Sequence, residues 1–326
     1  MFKEAVRRAV ELLQAGEVVA LPTETVYGLA ANALDAQAVG RIYEVKGRPA
    51  HNPIIVHVSG CEMAQTCVRA WTVVADRLAR AFWPGPLTLV LPKAPIIPEI
   101  VTAGGDTVGV RWPSHPFIQA VIREGGFPLA APSANLSNHL SPTSAEHVRR
   151  QLGGRIRLVV DGGSSQVGIE STVLDLTMSP PRVLRPGMIH EESLAAVVPE
   201  VRGQKPEVSS QSQTLRSPGM LNKHYAPKAR LLVLNWADDA QLKQKLAARR
   251  LEPSNVHVVA HTRIPLGGGF GGVSVIPHDA AAFARALYAE LHRCDEHGAA
   301  CIVVEAPPEA PAWRGIADRL RRAAAT

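Results

Sequence analysis

Lys46-Gly47-Arg48-Pro49-Ala50-His51-Asn52-Pro53-Ile54-Ile55-Val56-His57-Val58 joins a change of secondary structure to the densest run of polar chemistry in the chain. Gly47 lets the backbone bend and approach a ligand closely between two cations, and Pro49 opposes continuation of a helix arriving from upstream. The stretch therefore reads as helix end, loop, then strand. After Pro53 the short run Ile54 to Val58 is mostly β-branched and predicts a buried strand. Alternation turns His57 to the face opposite Val56 and Val58.

Upstream, residues 3–15 place Ala5, Val6, Ala9, Val10, Leu12 and Leu13 on one helical stripe ended by Gly16, and Val18 to Leu21 is a buried-type strand. That strand runs into Pro22-Thr23-Glu24-Thr25-Val26-Tyr27-Gly28-Leu29, and a helix over about Ala36 to Glu44 delivers the chain to Lys46. Both polar motifs thus sit at element ends, where ligand sites collect. Downstream the pattern predicts a helix at 72–82, strands at 87–91, 108–112, 129–131 and 156–160, a helix at 143–152, and strand-like runs at 168–176 and 183–185. Thr107, Gly109 and Arg111 share one face of their strand. Strands outnumber helices, which argues for a mixed open sheet.

Residues 201–216 lose all apolar periodicity and read as a linker. From Leu231 the chain alternates strand 231–235, helix 238–250, strands 256–260 and 273–276, helix 279–297, strand 300–305 and helix 312–324. This predicts a small parallel α/β domain.

The 326 residues suffice for two domains, and 46% hydrophobic with 20% charged is an ordinary soluble composition. No apolar run reaches the roughly 20 residues a membrane helix needs, and Met1 to Gln14 lacks a signal-peptide core, so a cytoplasmic protein is expected. Cys61, Cys67, Cys294 and Cys301 match no standard zinc spacing and read as ordinary buried residues. A net charge of +6 suits phosphate-bearing ligands or RNA, but the basic residues are dispersed. With only 5% aromatic residues there is little to stack bases on, so weak RNA binding is the most that composition allows.

The first domain carries Thr23, Thr25, Lys46, Arg48, Asn52, His57, Thr107, Arg111, Ser133, Asn135, Ser141, Ser171 and Arg185 at strand ends or adjoining loops. Walker, dinucleotide-glycine, serine-elbow and His-Glu zinc motifs are missing. Cations and hydroxyls without a nucleophile suit phosphate handling, in which positioning and charge stabilisation do most of the work.

Pro22–Leu29, Lys46–Pro49, Asn52-Pro53, Pro132-Ser133-Ala134-Asn135 and Glu170-Ser171-Thr172-Val173 occur in one order, and the chain resembles the threonylcarbamoyl-AMP synthase family. Ser217-Pro218-Gly219-Met220 with His224-Tyr225-Ala226-Pro227 resembles the long form of that family, although Asn138 stands where a glycine is common. The resemblance implies an α/β fold: a YrdC-like twisted mixed open sheet with helices over 1–200, a linker or lid over 201–229, and a smaller Rossmann-like parallel α/β domain over 230–326. It implies formation of threonylcarbamoyl-AMP and pyrophosphate from L-threonine, bicarbonate or CO2, and ATP with Mg2+. A downstream threonylcarbamoyl transferase complex acting on tRNA would consume the product. By motif position Thr25, His57, Arg111, Ala131 and Ser171 fall to threonine. Arg48, Asn52, Thr107, Ser133, Ser141, Arg185 and Tyr225 fall to the nucleotide, with Lys46 and Arg48 as the catalytic cations.

Overall fold

A computed structural model describes residues 2–203 and 225–325. Most of the expected linker, including Ser217-Pro218-Gly219-Met220 and His224, lies outside them. The chain divides into two units, Met1–Ser137 with Ser141–Met220, and Asn138–Leu140 with Leu221–Thr326.

The first unit is built on the strands β1 (Val19–Leu21), β2 (Gly28–Asn32), β3 (Val56–His57), β4 (Leu87–Pro92), β5 (Thr107–Arg111), β6 (Leu129–Ala130), β7 (Thr172–Asp175), β8 (Arg182–Arg185) and β9 (Arg202–Gly203). Their order is β1-β2-β6-β3-β5-β4-β7-β8-β9. β3 runs parallel to β5, and β4 parallel to β7, while β4 and β5 are antiparallel, so the sheet is mixed.

The helices of this unit are α1 (Phe2–Gln14), α2 (Ala36–Lys46), α3 (Cys61–Cys67), α4 (Val73–Phe82), α5 (Pro116–Gly125), α6 (Ala145–Leu152) and α7 (Glu191–Val197). One core joins Val56, Val58, Leu89, Leu91, Val108, Val110 and Leu174 to α2, α3, α4, α6 and α7. A second core packs α1 and α5 against Val19, Leu21, Ala30, Leu129 and Ala131. Each sheet face thus has its own helices, but the second core reaches only the β1–β2–β6 end. The β3–β5–β4–β7–β8 end of that face has a mixed lining, in which a small apolar cluster of Val90, Val173 and Leu184 adjoins buried polar side chains.

Several predicted strands are shorter than the sequence implied, β7 covering only Thr172–Asp175 of the run 168–176. Residues 156–160 make a single bridge, Ala20 to Val159. β3 shrinks to Val56–His57 because Pro53 has no N–H to give and the Ile54 N–H goes to Val101 O at 2.8 Å. α5, with Pro116 in its first turn and the His115 imidazole accepting from the Phe117 N–H, was not foreseen.

The second unit holds β10 (Arg230–Leu234), β11 (Val256–Ala260), β12 (Gly272–Val275) and β13 (Cys301–Glu305) in the order β10-β13-β11-β12, all parallel. With α8 (Asp239–Ala247), α9 (Ala280–Glu296) and α10 (Arg314–Ala323) it forms the expected Rossmann-like arrangement. Its core is Trp236, Leu242, Leu246, Val256, Val258, Ala260, Cys301 and Val303. Asn138, grouped with this unit, has φ 67°. Glycine and asparagine are the residues that tolerate this conformation, which explains how Asn substitutes for the glycine of the resemblance.

Candidate active site

α2 is started by Asp35, whose carboxylate accepts the Gln37 and Ala38 N–H groups, and stopped by Gly47 at φ 59°. This left-handed stop turns the chain so that Arg48 folds back, its N–H reaching Tyr43 O at 2.9 Å. The Arg48 guanidinium then donates to Asn52 O (3.0 Å) and Pro53 O (2.6 Å). Asn52 is fully buried, and neither atom of its amide has a partner among the described residues.

Lys46, also buried, donates through Nζ to Ser133 O and Asn135 O, with Asn135 Oδ1 at 3.5 Å. Three oxygens suit the three N–H donors of an ammonium. Burial and then the charge of Arg48 work the other way and push the amine well below its ordinary range. The Lys46 carbonyl accepts from the Ser137 N–H, so this residue ties the 133–137 loop to the end of α2 twice over.

His57 and Arg111 are partners across β3 and β5, and Val90 and Gly109 across β4 and β5. Thr88 partners Val173, and Val173 partners Arg185. Partnered residues project to the same side, so His57, Thr107, Gly109, Arg111, Thr88 and Arg185 occupy one face, away from the main core. A small cleft opens among Pro53, Ile55, Thr88, Val90, Thr107, Gly109 and Val173.

At the β5 end the Arg111 guanidinium donates to Thr25 Oγ1 (3.0 Å) and Gly85 O (3.3 Å). Its Nη2 lies 2.7 Å from Glu24 Oε1. The ion pair is close but misaligned: Nη2 and both Glu24 oxygens complete no hydrogen bond among the described residues. Burial, and next the charge of Arg111, hold the His57 imidazole neutral, its pKa lowered to about 3, and its Nδ1 has no partner. Ser171 Oγ exchanges a hydrogen bond with Thr88 Oγ1 (2.8 Å) and accepts from Arg185 Nη2 (3.0 Å). Ser141 donates to Glu170 Oε1 at 2.5 Å. The Ala131 N–H binds Ile55 O at 3.1 Å, extending the ladder past β6.

The structure therefore gathers the expected residues into local groups: Thr25 with Arg111 and His57; Ser171 with Arg185; Lys46 with Ser133; Arg48 with Asn52. Thr107 lines the cleft. Tyr225 belongs to the second unit, its ring 6.1 Å from that of Tyr288 and under the Arg319 guanidinium. Sequence reasoning gave no role to Glu24, Glu170 or Thr88. The first two stand inside the quoted motifs, and Thr88 alternates with apolar neighbours as a site-facing strand residue does.

One group among the described residues has metal-ligand composition: His257, Glu290 and Cys294, in the second unit. Arg293 already occupies it, with Nη2 2.7 Å from Glu290 Oε1 and 3.1 Å from His257 Nε2. A guanidinium there repels a cation.

The first unit is thus a mixed-sheet α/β domain with a buried cluster of arginine, hydroxyl and imidazole groups on one face. A profile of the Sua5/YciO/YrdC family, described as telomere recombination, matches residues 11–187, and one described as the threonylcarbamoyl-AMP synthase C-terminal domain matches 189–325. The chain belongs to the threonylcarbamoyl-AMP synthase family. It is 39% identical over 98% of its length to the threonylcarbamoyl-AMP synthase of Pyrococcus abyssi, covering 93% of that protein, and 40% identical over 98% to that of Bacillus subtilis, covering 92%. The crystal structure of Pyrococcus abyssi Sua5 complexed with L-threonine is similar at a TM-score of 0.90 and 39% identity, over 98% of this chain and 94% of that one.

Proposed function

We propose that the protein joins L-threonine, bicarbonate or CO2, and ATP into threonylcarbamoyl-AMP with release of pyrophosphate, acting as a nucleotidyltransferase in the cytoplasm. The observation that carries this reading is the Arg111 guanidinium, buried at a strand end beside the Thr25 hydroxyl and a neutral His57, in a family whose threonine-bound member has the same fold. A guanidinium is the natural partner of an amino-acid carboxylate. No helix of the described residues is long and apolar enough to cross a membrane, in keeping with soluble substrates.

In this reading threonine binds through its carboxylate to Arg111 and its nitrogen is captured as a carbamate. A carbamate oxygen forms the new bond to the α-phosphorus of ATP while the bond to the pyrophosphate oxygen breaks. Arg48 and Arg185 hold positive charge around the nucleotide, Lys46 holds the 133–135 loop beside it through its Nζ contacts, and the buried Asn52 amide supplies one donor and one acceptor for it. Mg2+ would enter on the triphosphate. The first unit's Glu24 and Glu170 face Arg111 and Ser141 respectively, and phosphate-borne Mg2+ keeps several waters and needs few protein ligands. The product would then serve a threonylcarbamoyl transferase complex acting on tRNA.

Mass analysis of the products tests the reading. Incubation with ATP, threonine and 13C-bicarbonate should yield an adenylate carrying both threonine and the labelled carbon. Label-free adenylate, or none, would contradict it.

A further inference from the structure

We propose that Glu24 is the acceptor for the substrate's amino group, so that the buried Arg111–Glu24 pair reads an amino acid as a zwitterion. This rests on the threonine reading above and adds a residue to it.

Glu24 is 6% exposed and lies between two hydroxyl residues in a loop with little freedom. The Thr23 hydroxyl accepts the Thr25 and Val26 N–H groups at 3.2 and 3.3 Å. The Glu24 and Thr25 carbonyls accept from Val167 (2.7 Å) and Gly168 (3.1 Å), and Ser165 Oγ donates to Thr23 O (3.0 Å). Backbone contacts on both sides thus fix where the side chain points. Its carboxylate is beside Arg111 and has no aligned donor on either oxygen.

A buried carboxylate without hydrogen bonds is costly, and a pair kept only for structure aligns its donors and acceptors. Here the unused valences lie on both partners, at Nη2 of Arg111 and at both Glu24 oxygens. A molecule bearing a carboxylate next to an ammonium group supplies the missing acceptor and the missing donors together. Thr25 Oγ1, already on Arg111 Nη1, stands beside the same position. His57 is the other unpartnered group here, but burial and Arg111 hold it neutral, so it is a poor partner for an ammonium.

Glu24 then has a chemical part as well as a binding one. It takes one proton from the ammonium, giving the free amine and a neutral carboxylic acid. The nitrogen lone pair forms the bond to the bicarbonate carbon, and the departing hydroxide leaves as water with the second amine proton. The carbamate keeps the single negative charge that bicarbonate brought.

The test is calorimetric binding of two ligands, L-threonine and 2,3-dihydroxybutanoate of matching stereochemistry, to the full chain and its Glu24→Gln variant. The second ligand keeps the carboxylate and side chain but has a hydroxyl in place of the amine. The full chain should prefer threonine. Glu24→Gln should weaken threonine by about tenfold to a hundredfold and the hydroxy acid by less than about threefold, since a lost charged hydrogen bond is worth about that much. Equal weakening of both ligands would make Glu24 only a positioning residue for Arg111 and overturn the proposal, as would no change. If Glu24→Gln does not fold, Glu24→Asp withdraws the carboxylate by one methylene and should reduce the preference for threonine; an unchanged preference overturns it. A full chain that binds neither ligand refutes the threonine reading itself.

Discussion

Arg111 shows how little of a buried arginine's meaning lies in its burial. Its Nε and Nη1 are engaged by Gly85 and Thr25, while Nη2, 2.7 Å from Glu24 Oε1, completes no hydrogen bond. Replacing it with lysine keeps the charge but loses the planar fork. Arg111→Lys should weaken threonine by about tenfold or more while ATP binding changes little; calorimetry with each substrate checks this, and equal losses would contradict the assignment. Lys46 differs, because its ammonium is engaged by the 133–135 carbonyls. The resemblance, which makes Lys46 a catalytic cation, implies that Lys46→Ala abolishes most pyrophosphate release with folding intact. The structure changes the second half: truncation strands buried carbonyls and should cost on the order of 1–3 kcal/mol, read by denaturant unfolding. His57 gives a pH test. The unfolded imidazole takes a proton near 6.5 and the folded one only near 3, so its contribution to stability is complete above pH 6.5 and is lost as pH falls toward 3. Between about pH 7.5 and about pH 4.5 the melting temperature should fall further for the natural chain than for His57→Gln. Parallel falls would place the acid sensitivity elsewhere.

At the scale of elements, α2 and its stop carry the most consequence. Gly47 has φ 59° with open space where a Cβ would go, so Gly47→Ala meets backbone strain and no clash. It should cost about 1 kcal/mol in unfolding free energy and shift Arg48 away from the 52–53 carbonyls. A variant as stable and as active as the natural chain would show that the stop does not position the cation. The helix–loop–strand reading of 46–58 was legible because glycine, proline and β-branched residues impose local limits that tertiary packing rarely reverses. The alternation that turned His57 away from Val56 held for the same reason. The 156–160 strand was misread because periodicity reports burial, not pairing, and its pairing with β1 stops after one bridge. Contacts between Ser171, Thr88 and Arg185 depend on which strands become neighbours. No local pattern states that β4 lies between β5 and β7. The Glu24–Arg111 pair was hidden likewise, its partners joined only by the fold.

For the whole molecule, the two units have separate cores, one set drawn wholly from residues before 202 and the other wholly from residues after 230. A fragment covering 1–203 should therefore melt cooperatively by itself and be stabilised by threonine; a fragment with no thermal transition would show that its core needs the rest of the chain. The sequence shows a break in periodicity after residue 200 and strand–helix alternation beyond Leu231, whereas the chain divides after Met220 and groups Asn138–Leu140 with the second unit, a grouping no local pattern states. The chemistry assigned to the first unit is tested most directly by pyrophosphate release from ATP in four mixtures, with and without threonine and with and without bicarbonate. The account expects rapid release only when both are present. Release that does not depend on threonine would contradict it.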